Sequence, residues 1–110
     1  MTQMTDVYHL VLLPDTDEEA FVAFAQQEGF ARAAVTRAGT VTSQYLLKEH
    51  DGDDGRRRYM WIVRWTSHVE LEALEHIARS LWKVAQPLES QAEMTSFARY
   101  VQVAESTAHE

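Results

Sequence analysis

Cysteine is absent from the 110 residues, which removes disulfides, thiolate nucleophiles, zinc–cysteine sites and iron–sulfur clusters together. Asparagine is absent as well, and only two lysines stand beside eight arginines. Four glycines and two prolines leave no linker-rich or low-complexity stretch. Long apolar runs are missing too. The start MTQMTDVYHLVLLP has no basic n-region, and its apolar part is too short for a signal peptide or a membrane span. The expectation is a cytoplasmic protein with no membrane partner.

Positive charge is the scarcer sign, with 10 basic against 17 acidic side chains and a net charge of -7. The one basic cluster, Arg56 to Arg58, follows directly on Asp51, Asp53 and Asp54. Such a chain repels phosphate backbones, so nucleic acid is not an expected partner. What is present is 45% hydrophobic and 25% charged, a globular composition. A chain of this length forms one domain spanning residues 1–110 and buries roughly two-thirds of its unfolded surface. Residues 1–5 and 105–110 are expected to be loose ends.

The pattern along the chain predicts six elements. DVYHLVLLP reads as a strand from Asp6 to Leu13, unbroken until Pro14, which cannot continue a central ladder. In DTDEEAFVAFAQQEGF, Asp15 or Thr16 can cap a helix with Glu18 or Glu19 three residues on, Phe21, Phe24 and Ala25 face inward, and Gly29 is a C-terminal stop. ARAAVTRAG adds up to two further helical turns before Gly39. TVTSQYLLKEH and RRRYMWIVRW flank DGDDG and predict an antiparallel hairpin. The aspartates of that turn do not make a calcium loop: the required glycine is displaced, and Ile62 stands where a bidentate glutamate belongs. Ser67 with Glu70 is a capping box for a second helix, with Leu71, Leu74, Ala78, Leu81 and Ala85 on one stripe, ending near Pro87. MTSFARYVQVA is the last strand.

Strand, helix, strand, strand, helix, strand is the ferredoxin-like α+β order, an antiparallel sheet with both helices on one face. The second face should then be polar, and it is not. Tyr59, Trp61, Val63 and Trp65 alternate with Met60, Ile62 and Arg64, and Val7 and Val11 alternate with Tyr8, Leu10 and Leu12. Two apolar faces need two covers, and a second copy closing an α/β barrel across a two-fold axis is the simplest, so a homodimer is expected.

The whole chain resembles the dimeric α/β barrel superfamily, which includes antibiotic-biosynthesis-monooxygenase-like enzymes, heme-degrading monooxygenases and stress-responsive barrel proteins. RYMWIVRWTSHVELEALEH carries the likeness: an aromatic strand ending in Trp, then Thr-Ser, then an acidic amphipathic helix. The resemblance implies cofactor-independent oxygenation or cyclisation of an aromatic, polyketide-like metabolite between sheet and helices. A non-catalytic ligand-binding or structural homodimer is the alternative, and heme binding a third. Trp65 matches the strand-ending Trp that holds substrate in cofactor-free members, but Trp61 stands where their Asn would be. With no asparagine anywhere, that mechanism does not carry over intact. VYHLVLLP resembles the first strand of the stress-responsive proteins and related cyclases, which makes His9 the candidate base; His76 is shifted from the position of their second histidine.

The candidate catalytic residues are therefore His9 and Trp65, with Trp61, Tyr45 and Arg99 binding substrate, no metal and no cofactor. Each has a plainer reading. Two indoles about 13 Å apart on one strand face can simply fill a core, and a strand histidine can serve as an interface hydrogen-bonder. Arg99 shares a face with Phe97 and Val101, where an unpaired charge would be costly, so it must sit at the sheet rim or have a partner.

Overall fold

The computed structural model describes residues 2–35, 39–50, 54–68 and 91–104. Its sheet has four strands, β1 (Thr2–Leu12), β2 (Gly39–Lys48), β3 (Arg58–Ser67) and β4 (Ala92–Val101), in the spatial order β2-β3-β1-β4. All neighbours are antiparallel. Between β1 and β2 the chain runs through helix α1 (Glu18–Phe24), a π-helical turn (Ala25–Gly29) and helix α2 (Phe30–Val35). Sequential strands β1 and β2 are separated by β3, which is the interlocked ferredoxin-like arrangement expected from the sequence.

Alternation decides which residues meet the helices. On β1 the even positions Met4, Asp6, Tyr8, Leu10 and Leu12 are buried; on β3 the odd positions Tyr59, Trp61, Val63, Trp65 and Ser67 are. Phe21 and Ala33 from the helical segment close the same core, with Phe21 tilted against Tyr59 at 5.1 Å. Burial of each such large apolar side chain contributes roughly 1.5–3 kcal/mol, so this layer sets the sheet's register.

Three local expectations change. First, β1 begins at Thr2 rather than Asp6: residues 2–5, expected to be loose, lie in the ladder with Thr2 opposite Ser67. Second, the helix cap is Asp17, whose carboxylate accepts from the N–H groups of Glu19 and Ala20. Thr16 instead donates its hydroxyl to the Gln91 carbonyl at 2.6 Å, tying the β1–α1 loop to the entry of β4. Third, Gly29 does not end the helix. The extra residue is absorbed as a π-turn, with the Phe30 N–H bonded to the Ala25 carbonyl, and Gly29 lies over Trp61, where even a methyl group would already be in contact at 3.8 Å. A close helix–sheet approach, continued at the buried Ala33 of FARAAV, keeps the segment helical where local propensity alone would stop it.

Two bulges trim the ladders. Thr42 is the extra residue of β2, its hydroxyl donating to the Arg64 carbonyl, and Thr95 is that of β4, donating to the His9 carbonyl. At the start of β2 the backbone runs so close to β3 that a Cβ on Gly39 would stand 2.0 Å from the Thr66 carbonyl oxygen. The expected second helix, with its stripe from Leu71 to Ala85 and with His76, lies outside the described residues, as do residues 105–110.

Candidate functional site

The register of the sheet stacks three rungs on the helix-facing side. Trp61, Tyr8 and Phe97 are directly opposite one another across β3, β1 and β4, with Tyr8 centred 5.0 Å from Trp61 and 4.9 Å from Phe97. The next rung is Val63, Asp6 and Arg99, and the third is Trp65, Met4 and Val101. A carboxylate thus stands in the middle of an aromatic layer, fully buried.

Its partners explain how it is tolerated there. Arg99 donates from Nε to Asp6 Oδ1 at 2.7 Å and from Nη2 to Oδ2 at 3.1 Å, a two-point charge-assisted grip, and the Trp65 indole N–H adds a third bond to Oδ2 at 3.0 Å. The guanidinium also lies 5.1 Å from the Trp65 ring centre and 5.9 Å from that of Phe97. The sheet rung aims both groups, since Asp6 and Arg99 are cross-strand partners. Arg99 is therefore paired, as its place on an apolar face requires. Among the described residues its Nη1 has no hydrogen-bond partner, and the guanidinium lies beside two aromatic rings.

Trp61 is anchored separately. Its indole N–H donates to Gln44 Oε1 at 3.1 Å, and the Gln44 amide donates to the Phe30 carbonyl at 2.7 Å, so β2 latches both the indole and the helical segment. Trp61 and Trp65 are 2% and 0% exposed. Tyr59, at the end of the same row, donates its hydroxyl to Glu18, which also pairs with Lys48 at 2.5 Å. Burial, reinforced by the Glu18 acceptor, pushes the Tyr59 phenol well above its ordinary value. Hydrogen bonds from Lys48 and then from Tyr59 hold the Glu18 carboxyl below the usual carboxylate range.

The five residues singled out from the sequence do not converge. Trp61, Trp65 and Arg99 share the helix-facing interior, whereas His9 and Tyr45 point to the opposite face and are exposed. The strand separates His9 from Trp65, so one cavity cannot place both around one substrate. On the open face His9 borders a shallow cavity of about 360 Å³ with Leu47 and Met60 below it and Lys48, Glu49 and Arg58 around it.

Asp6 and Gln44 went unnoticed in the sequence. For Asp6 a signal existed: it falls on the same alternation as Tyr8, Leu10 and Leu12, and an acid on an apolar stripe implies a buried cationic partner, for which Arg99 was a candidate. Gln44 has no such signal, because its role depends on how α2 crosses β2. Among the described residues no group of three His, Asp or Glu side chains could hold a metal ion.

Fold and interior together define a ferredoxin-like α+β protein with a buried acid–arginine–indole cluster. The structure is similar to HapK from Hahella chejuensis, over 97% of this chain and 99% of that one, with a TM-score of 0.66 and 14% identity. It is similar to a dimeric ferredoxin-like protein from an uncultured marine organism over 96% and 100% of the two chains, with a TM-score of 0.64 and 14% identity. A second dimeric ferredoxin-like protein of such origin matches over 99% and 95%, with a TM-score of 0.56 and 11% identity. The sequence matches no family model and no curated protein. At these identities the likeness concerns the fold. Among the described residues no helix is long and apolar enough to cross a membrane.

Proposed function

We propose that this chain is a cytoplasmic, homodimeric small-molecule-binding protein of the dimeric α/β barrel kind. Each subunit is one ferredoxin-like unit that receives a planar, largely apolar metabolite on the helix-facing side of its sheet. The observation that carries the reading is the Nη1 edge of Arg99, which among the described residues has no hydrogen-bond partner and lies beside the Trp65 and Phe97 rings. Because Asp6 balances its charge, that edge suits a carbonyl or phenolic oxygen on an aromatic ring better than a free carboxylate. Cofactor-independent oxygenation or cyclisation is the chemistry proposed for this interior. Its polar machinery is Asp6, Arg99 and Trp65, and His9 is left out because it stands on the other face.

The dimer is supported by the open face. Val7, Val11, Met60, Ile62 and Ala98 form its middle, and Tyr45, Leu47 and Tyr100 are 47%, 48% and 57% exposed. Four strands of ten residues span roughly 19 Å by 33 Å at usual spacings, a patch near the ~800 Å² per partner of a standard interface. Two of the similar structures are described as dimeric.

Titration of tryptophan fluorescence with quinols, aryl ketones and heme tests the binding site, with solution mass recorded alongside. Saturable quenching by one class, weakened about tenfold or more in Arg99→Lys, is the expected result. A flat response from a folded dimer sinks it. That result would favour the second reading, a non-catalytic structural homodimer, which rests on the fact that both described indoles are buried with their N–H groups satisfied by Gln44 and Asp6.

A further inference from the structure

On the open face one group is out of keeping with its surroundings. His9 stands in the middle of β1, exposed, flanked on its own side of the strand by Val7 and Val11 and facing Met60 on β3 and Ser96 on β4. Its backbone lies in the ladder and its carbonyl also accepts from the Thr95 hydroxyl; among the described residues its ring nitrogens have no hydrogen-bond partner.

The charged groups around it are either committed or displaced. Arg58 on β3 is held by Asp54 and by Glu49, the latter at 3.3 Å, and Lys48 at the end of β2 is held by Glu18. Arg64 lies further along β3, adding positive charge to the same face. From β4 the nearest acid is Glu93, opposite Val11 and exposed. The helical segment packs on the far side of the sheet. Among the described residues no carboxylate is hydrogen-bonded to the imidazole.

If this face is covered by a second copy, as proposed above, His9 is buried twice, once from each subunit. A neutral imidazole tolerates that at modest cost. An imidazolium would lose its hydration against Met60, Val7 and Val11, and the two-fold axis would repeat the penalty on the other chain. We infer that His9 makes the homodimer proton-sensitive: association is tight while the imidazole is neutral and weakens when it is protonated. The inference rests on the sheet-to-sheet dimer and adds a regulatory property to it.

Sedimentation equilibrium of the full chain at about pH 8 and about pH 5.5 reads the effect. For the unmodified protein the dimer dissociation constant should rise about tenfold or more at the acid pH. His9→Gln should dimerise equally at both. His9→Lys, which carries the charge permanently, should be weakened already at about pH 8, so the result does not depend on the fold surviving acid. A dissociation constant that stays level or tightens at the acid pH overturns the inference. So does acid weakening that persists in His9→Gln, or a His9→Lys dimer as tight as the unmodified one. A chain that is monomeric at both pH values overturns the dimer itself, a different failure from a dimer indifferent to pH.

Discussion

The two faces of this sheet are nearly equal in apolar content and opposite in how their polar groups are treated. On the helix-facing side Trp61 is answered by Gln44, Trp65 and Arg99 by Asp6, and Tyr59 by Glu18. On the open side His9 has no side-chain partner among the described residues, and Tyr45, Leu47 and Tyr100 keep about half their surface in solvent. Among the described residues the helix-facing side leaves the Arg99 Nη1 edge without a hydrogen-bond partner, whereas the open side leaves large apolar side chains in solvent. How far the large side chains are covered, rather than hydrophobicity, tells the two apart.

The sharpest way to break the contrast is to remove the answer to Asp6. Arg99→Gln leaves a fully buried carboxylate without its cationic partner and should destabilise the fold by about 3–5 kcal/mol, read by urea unfolding. A loss below about 1 kcal/mol would mean that the pair is dispensable, as exposed ion pairs are. Gly39→Ala comes next. Its methyl would meet the Thr66 carbonyl oxygen and the Trp65 ring, and β2 must shift, for an expected loss of about 1–3 kcal/mol.

Changes on the open face should behave differently. Ile62→Lys should leave the unfolding transition of a dilute sample within about 0.5 kcal/mol while weakening self-association at least tenfold, because the side chain is only partly covered in one subunit. A collapse of monomer stability would contradict the division into closed and open faces.

The smallest effect belongs to the hairpin tip. Asp54 is held at about 2 by hydrogen bonds from Arg58 and then from the Arg56 N–H, against an ordinary 3.8. A carboxyl lowered on folding stabilises above its unfolded value, and that contribution fades as pH falls from about 4 through 2. Asp54→Asn should therefore slightly flatten the acid limb of a stability-versus-pH curve and change little at neutral pH, since the pair is exposed.

Strand alternation made the sheet, the hairpin and the two apolar faces legible, because period-2 patterns in β1 and β3 survive any detail of packing. The passage of the helix through Gly29 was not legible, since it depends on Trp61 lying beneath that glycine. The site was half legible. That Arg99 must sit at the rim or have a partner followed from Phe97 and Val101 beside it, but only the β1–β4 register decided for a partner and aligned Asp6 as that partner. His9 stood out as an odd residue in an apolar strand, and its face could be assigned only after the burial of Tyr8 and Leu10 fixed which side of β1 met the helices.

The most direct test of the two-face account is the solution mass of the unmodified protein near neutral pH, measured by light scattering over a dilution series. Twice the mass of one chain, with Tyr45 and Tyr100 protected from chemical labelling, is the expected outcome. A single-chain mass at every concentration, with those side chains labelled freely, would contradict it.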